Sequence, residues 1–251
     1  MRIIVSLIIS TIAGFATLLG GLLSYINISE EKRNKFITFC LSFSLAIMIS
    51  LSVFELIPET FITLLKEYSI LNTNFIIIGV FIIGVIIILV LNKIIDRMSQ
   101  NENNLYKLGI LNMIALMAHN LPEGIATFMS SYNDINLGIK IAIAIMLHNI
   151  PEGISIAIPI YYATKSRGKA LKMTALSSLA EPLGALLCYI FLKDNINEFS
   201  IGIILTLVAG IMITLAIHEL LPEAKKYKED KILSLGIICG VLLMIINVFL
   251  L

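Results

Sequence analysis

The segment AHNLPEGIATFM (118–129) returns twenty-nine residues later as LHNIPEGISIAI (147–158). Both copies contain the core His-Asn-apolar-Pro-Glu-Gly, and both lie inside long apolar runs. Ionisable side chains and helix-breaking prolines are costly there, since a charge at the centre of a membrane-spanning helix costs about 2.5–3.5 kcal/mol. The repetition of such a motif indicates a functional site.

The composition is that of a membrane protein. Hydrophobic residues make up 58% of the 251 residues and charged residues only 14%, against about 25% charged in a soluble domain. The mean hydropathy is +0.97. The net charge of +1 gives no indication of a nucleic-acid partner, and none is expected. The three cysteines are isolated and form no CxxC pair, so we interpret them as small buried residues.

Apolar segments separated by short polar stretches predict an all-α polytopic membrane protein with eight transmembrane helices, each about 20 residues or longer. No small-residue cleavage site follows the first segment, which is therefore interpreted as a span and not as a removed signal peptide. No gap could hold a soluble domain, so residues 1–251 are predicted to form a single transmembrane domain. The predicted spans are 3–26, 36–57, 75–95, 108–131, 137–162, 170–192, 200–221 and 232–251.

The distribution of positive charge predicts the orientation. The first, third, fifth and seventh loops, together with the span ends next to them, carry 14 of the 18 Lys and Arg residues. Because Lys and Arg are concentrated in cytoplasmic loops, these four loops should be cytoplasmic. We therefore expect a multi-pass protein of the cell membrane, with both termini extracytoplasmic.

Each motif places its polar side chains on one helix face. Residues four apart share a face, which joins His119 to Glu123 and His148 to Glu152. His119 lies about 17 Å along its span at 1.5 Å per residue, close to the middle of the bilayer. The motif asparagines lie three residues before each glutamate and widen the same face; they are Asn120 and Asn149.

A third carboxylate, Glu181, lies in the middle of the sixth span, within SSLAEPLGALL. Three ionised carboxylates would cost on the order of 8–10 kcal/mol if nothing offset them. Lys and Arg are absent from these mid-span positions, so a cation from outside the protein is the expected partner. For Glu181 alone, a hydrogen bond to Ser177, Ser178 or the motif asparagines is an alternative.

A proline lies next to each of the three central glutamates. Pro122, Pro151 and Pro182 lack an N–H and leave carbonyls of the preceding turn without their usual donor. Transporters build ion sites from broken or kinked helices of this kind. We therefore expect irregular helices at the site.

The ligand types restrict the metal. Imidazole, carboxylate and amide groups suit zinc, iron(II), cobalt and manganese, and no thiolate or thioether cluster favours copper(I). The groups outnumber the four ligands of one tetrahedral ion, so we predict two neighbouring metal sites bridged by Glu123 and Glu152. The predicted ligands are His119, Asn120, Glu123, His148, Asn149, Glu152 and Glu181.

The repeats have a direction. The fourth and fifth spans are consecutive and therefore antiparallel, and VFELIPET (53–60) of the second span matches IHELLPEA (217–224) of the seventh. Both pairs fit spans that mirror around the centre of the chain, and such inverted repeats are typical of alternating-access carriers. The ionisable residues of the second pair could capture and release metal, or serve only as capping and interface charges. These residues are Glu55, Glu59, His218, Glu219 and Glu223.

The eight spans, both His-Asn-x-Pro-Glu-Gly motifs, the AEPLG segment and the ELIPE and HELLP stretches together resemble the ZIP (Zrt/Irt-like) metal transporters over the whole chain. The resemblance implies the ZIP fold and uptake of zinc into the cytoplasm, with iron(II), cobalt and manganese as secondary substrates. It implies no resident cofactor and assigns the same seven residues as ligands, the central glutamates being shared between two metals. The loop after the third span, QNENNLYK, lacks the histidines of many family members, which argues against metal sensing there.

Two other functions use similar residues. An intramembrane zinc-dependent hydrolase would use a His/Glu site to activate water, but the sequence has no HExxH motif and no reason to duplicate a catalytic site. A metal-selective channel would share nearly every feature, and its flux would distinguish it. The small residues of LSSLAEPLGALL could pack helices within one protomer or between two, so a homodimer is left open.

Overall fold

The fold is helical throughout the described chain. The computed structural model describes residues 2–98, 104–192 and 198–250, and within these ranges it contains no strand. This confirms the predicted all-α class. The α-helices are α1 (Arg2–Leu22), α2 (Glu30–Leu51), α3 (Ile57–Leu64), α4 (Ile70–Met98), α5 (Asn104–Asn133), α6 (Ile135–Thr164), α7 (Arg167–Ser178), α8 (Ala180–Leu187), α9 (Glu198–Leu215), α10 (Leu221–Lys226) and α11 (Asp230–Leu250).

Several helices join end to end into longer rods. A π-helical turn, Ser52–Leu56, links α2 to α3, and another, Ala216–Leu220, links α9 to α10. The helices α7 and α8 meet at Leu179, and a third π turn, Cys188–Leu192, continues α8. Together with α1, α4, α5, α6 and α11, these composite helices give eight rods in the described ranges, numbered here in chain order.

Six rods are long and apolar enough to cross a membrane, as a multi-pass membrane protein requires. The fourth rod, α5, and the eighth, α11, complete the set of long helices in the described residues. The six candidate spans are Arg2–Tyr25, Glu31–Leu64, Ile70–Ile94, Gly138–Thr164, Arg167–Ile190 and Gly202–Lys226.

The prolines interrupt fewer helices than expected. The helix α5 runs unbroken through Pro122, and α6 runs through Pro151 and Pro159. The two motif helices are therefore not broken at their prolines. The sixth rod is interrupted as predicted, since Leu179 separates α7 from α8 two residues before Glu181.

The ELxPE stretches, in contrast, coincide with irregular helix. Glu55 lies in the π turn of the second rod and Glu219 in that of the seventh, each three residues before a proline. Since a proline removes one hydrogen bond of the α-helical ladder, a locally wider turn is a compatible arrangement. The same irregularity at matching positions relates the second rod to the seventh.

The packing of the rods reveals the internal symmetry. The first rod packs on the fifth, and the sixth rod packs on the fourth. Likewise, the second rod packs on the eighth, and the third rod packs on the seventh. These contacts become equivalent when the first rod is paired with the sixth, the second with the seventh, the third with the eighth and the fourth with the fifth. Mirroring about the centre of the chain is therefore right for two pairs and wrong for the other two.

Candidate metal centre

The polar residues of the two motifs are buried in the middle of the bundle. His119, Asn120 and Asn149 are fully buried, as is Glu181, and Glu152 is 1% exposed. The motif helices α5 and α6 pack against each other, and α8 packs against α5 and α1. The remaining predicted ligands are Glu123, which is 6% exposed, and His148, which lies in α6 but whose side chain is outside the described part of the structure.

His119 joins the glutamates of both motifs. Its Nε2 lies 3.1 Å from Glu123 Oε1 on the same helix and 3.7 Å from Glu152 Oε1 on the neighbouring helix. Two ligands at tetrahedral angles on one zinc ion, with bonds of about 2.0–2.1 Å, lie roughly 3.3 Å apart. The two distances bracket that value, so these groups can share a cation after small side-chain shifts.

Asn149 connects three rods. Its Nδ2 donates to Glu181 Oε2 at 2.9 Å and to the carbonyl oxygen of Ala13 at 3.0 Å. Both N–H groups of the amide therefore have acceptors. The amide oxygen Oδ1 has no partner among the described residues, so it can bind another group. The alternative partner considered for Glu181, a motif asparagine, is thus present, and it orients the amide oxygen as a possible ligand.

Glycines bring the neighbouring backbones against the motifs. A Cβ at Gly124 would lie 1.9 Å from the carbonyl oxygen of Glu181, and one at Gly153 would lie 1.9 Å from that of Thr17. Real side chains tolerate no such contact. Each glycine immediately follows a motif glutamate, so α8 and α1 are held at the height of the carboxylates.

The described side chains form small contacting groups rather than a finished coordination shell. Among them, no three His, Cys, Asp or Glu groups converge closely enough to hold a metal ion by themselves. The asparagines could supply further ligands, and the side chain of His148 lies outside the described part of the structure. The geometry therefore brings five of the predicted ligands into contact in two groups: His119 with Glu123 and Glu152, and Asn149 with Glu181.

Comparison with known proteins identifies the family. A family model described as "ZIP Zinc transporter" matches residues 98–247, which is more than half of the chain. This chain belongs to the ZIP zinc transporter family. The zinc transporter ZupT of Lysinibacillus sphaericus (strain C3-41) is 40% identical to it over 256 residues, covering 95% of this chain and 94% of that protein.

Other similar ZIP family members have the same printed name. The zinc transporter ZupT of Streptococcus mutans serotype c is 34% identical, covering 97% of this chain and 96% of its own length. That of Oceanobacillus iheyensis is 36% identical, covering 100% and 99%. The resemblance inferred from the motifs is therefore confirmed, and the family is one of transporters rather than enzymes.

A second polar region of this ZIP protein lies at the end of the seventh rod. His218, Glu219 and Glu223 line a cavity of about 200 Å³ together with residues of α5, including Lys107. Glu223 accepts from Lys226 Nζ at 2.5 Å. Burial and the nearby Glu223 carboxylate raise the pKa of the neighbouring Tyr227 to about 12, so this phenol is neutral at physiological pH.

Sequence reasoning missed several polar residues around the centre. Asn112 is fully buried and donates to the carbonyl oxygen of Ser155 at 2.7 Å, which ties α5 to α6. Ser44 of α2 donates to the carbonyl oxygen of Pro151 at 2.9 Å. Asn112 could have been noticed as an amide in an apolar segment seven residues before His119, whereas Ser44 has no such signal.

Proposed function

We propose that this chain transports zinc into the cytoplasm through the buried centre between α5, α6 and α8. The observation that carries the proposal is the burial of three carboxylates beside an imidazole in a bundle whose mid-span positions have no Lys or Arg. When these carboxylates are ionised, a bound cation compensates their charge. The printed names of the similar proteins, all zinc transporters, support zinc as that cation.

The proposed centre holds two ions. His119 approaches both central glutamates, which supports a first ion on these three groups. The amide oxygens of Asn120 and Asn149, with Glu181, would complete a second ion that shares Glu123 and Glu152. His148 is assigned to this centre from its motif alone.

Further properties belong to the same proposal. Iron(II), cobalt and manganese are secondary substrates, since they accept the same nitrogen and oxygen ligands. The chain forms one domain of eight spans in the bilayer, with both termini outside the cytoplasm, as the charges of the loops indicate. The small residues of the sixth rod do not by themselves support a homodimer, because Gly184 packs on the Leu121 carbonyl within one chain.

Zinc uptake into proteoliposomes tests the function. Wild-type protein should give saturable uptake under an inward zinc gradient, and Glu152→Gln should abolish it at equal protein content. Glu229→Gln, at a half-buried loop position between α10 and α11, is the matched control and should transport normally. Equal uptake by Glu152→Gln and the wild type would mean that zinc crosses the protein by a path that avoids Glu152. No uptake by the wild type would contradict zinc transport. Uptake that does not saturate would favour a metal-selective channel.

A further inference from the structure

The two motif helices are each contacted by a neighbouring backbone in the same way. Thr17 of α1 places its carbonyl oxygen against Gly153, and Glu181 of α8 places its own against Gly124, with the same 1.9 Å distance to a built Cβ. Both glycines follow the motif glutamate directly. Thr17 therefore occupies, next to the second motif, the position that Glu181 occupies next to the first.

A second pair of contacts fixes the same correspondence one helical turn later. A Cβ at Gly20 would lie 2.1 Å from the Ile150 carbonyl oxygen, and one at Gly184 would lie 2.0 Å from that of Leu121. Ile150 and Leu121 are the apolar residues of the two motifs. Since Gly20 follows Thr17 by three residues, as Gly184 follows Glu181, the internal symmetry relates α1 to the sixth rod residue by residue.

In one of the two symmetric halves, the motif asparagine donates hydrogen bonds to both neighbouring rods. Asn149 Nδ2 donates to Glu181 on the sixth rod and to the Ala13 carbonyl on the first. Under the same correspondence, Asn120 is the counterpart of Asn149 and Thr17 that of Glu181. Ser177 is the counterpart of Ala13, since each lies four residues before the matched position.

The other half consists of buried polar groups that lack partners among the described residues. Thr17, Asn120 and Ser177 are fully buried. Neither end of the Asn120 amide has a partner there, and neither do Thr17 Oγ1 and Ser177 Oγ. A buried amide without hydrogen-bond partners destabilises the protein, because it has lost its bonds to water. The Thr17 hydroxyl, at the position that corresponds to the Glu181 carboxylate, can accept from Nδ2, and a cation can bind Oδ1.

We propose that Thr17 is a positioning residue for the metal centre, acting through Asn120. Its hydroxyl accepts a hydrogen bond from Asn120 Nδ2, as Glu181 accepts one from Asn149, and the amide oxygen of Asn120 then faces the metal. The two ends of an asparagine amide are similar in size, so the partner of one end decides which end the metal meets. This inference rests on the proposed function, because it assigns Asn120 to the transport site.

The choice of a hydroxyl at this position has an electrostatic consequence. A glutamate, as in the sixth rod, would add a fourth carboxylate to a centre that already contains Glu123, Glu152 and Glu181. Like charges in a low-dielectric site repel strongly. Threonine supplies an acceptor for Asn120 without that charge, which makes the centre chemically asymmetric although its backbone is symmetric.

A double-mutant cycle on zinc uptake tests the assignment. Thr17→Val keeps the shape and removes the hydroxyl, and should raise the KM for zinc by 10–100-fold, the usual effect of losing a group that orients a ligand. Thr17→Ser should restore the KM to within about twofold, because the acceptor returns. In an Asn120→Ala background, Thr17→Val should have no further effect, since the two residues act as one unit.

Thr206→Val is the matched control, since Thr206 is a buried threonine of α9 that also lacks a side-chain partner in the described structure. Its KM should not change. An unchanged KM for Thr17→Val, or effects of Thr17→Val and Asn120→Ala that simply add, would overturn the role of Thr17 while leaving zinc transport intact. If the wild type takes up no zinc, the proposed function fails, and the same cycle on zinc affinity of the purified protein decides the role of Thr17.

Discussion

At the scale of single residues, the proposed centre contains amides as well as charged groups. The carboxylates and His119 supply charge and basic nitrogen, whereas Asn149 fixes the position of Glu181 and contacts the backbone of α1. A group that holds a ligand in place commonly changes metal affinity by about 10–100-fold. Asn112, by contrast, donates its side-chain hydrogen bond within the described structure to the backbone carbonyl of Ser155 and not to a carboxylate.

This difference predicts separate effects for two buried asparagines. Asn149→Ala should raise the KM for zinc by about 10–100-fold, because Glu181 loses its donor and the centre loses an amide oxygen. Asn112→Ala should leave the KM unchanged and lower the free energy of unfolding by about 1 kcal/mol, the usual value of one hydrogen bond. Uptake kinetics and thermal unfolding measure the two effects, and a higher KM for Asn112→Ala would contradict the distinction.

The sequence predicted which residues meet at the centre better than how they bond. Residues four apart on one helix must share a face, so the contact of His119 with Glu123 followed from spacing. The contact of Asn149 with Ala13 did not, because it depends on which helices pack together and on how closely glycines let them approach.

At the scale of helices, close approach of backbones determines the geometry of the site. Carbonyl oxygens of α8 and α1 pack directly against the motif glycines, and a side chain at either glycine would collide with them. Proline spacing indicated irregular helices, and three π turns and a break at Leu179 occur, but α5 and α6 remain continuous. A proline shows that one hydrogen bond is lost, and the neighbouring residues decide whether the helix ends, widens or continues.

Adding a single methyl group should therefore separate the helices. Gly124→Ala and Gly153→Ala would place a Cβ 1.9 Å from a carbonyl oxygen, and we expect each to destabilise the protein by about 1–3 kcal/mol or more and to weaken zinc binding. Gly79→Ala is the matched control, since nothing lies within 4 Å of its Cβ position; it should be neutral or slightly stabilising, because alanine favours helix. Thermal unfolding measures the stability, and wild-type stability of Gly153→Ala would contradict the packing.

At the scale of the whole molecule, two groups of three rods repeat around the central pair of motif helices. The motif pairs alone could not distinguish this arrangement from mirroring, because the second and seventh rods and the fourth and fifth correspond in both. The packing of the first rod on the fifth, and of the sixth on the fourth, decides between them. Helix order along a chain does not specify which helices touch, and for the outer rods no shared motif supplied that information.

The proposed orientation has a direct test in cysteine labelling. In a background with Cys40, Cys188 and Cys239 replaced by alanine, Glu67→Cys in the second loop should react with a membrane-impermeant maleimide in intact cells. Gly168→Cys in the fifth loop, where an added side chain meets nothing within 4 Å, should react only after permeabilisation. The opposite pattern would invert the topology and with it the proposed direction of uptake.

The most direct test of the central claim is equilibrium zinc binding to the purified protein, compared with a variant that lacks the charges of both motif glutamates. The wild type should bind two zinc ions per chain. The double variant Glu123→Gln/Glu152→Gln should bind both ions much more weakly than the wild type, because both proposed ions share these carboxylates. Unchanged stoichiometry and affinity in the double variant would contradict a metal centre between α5, α6 and α8.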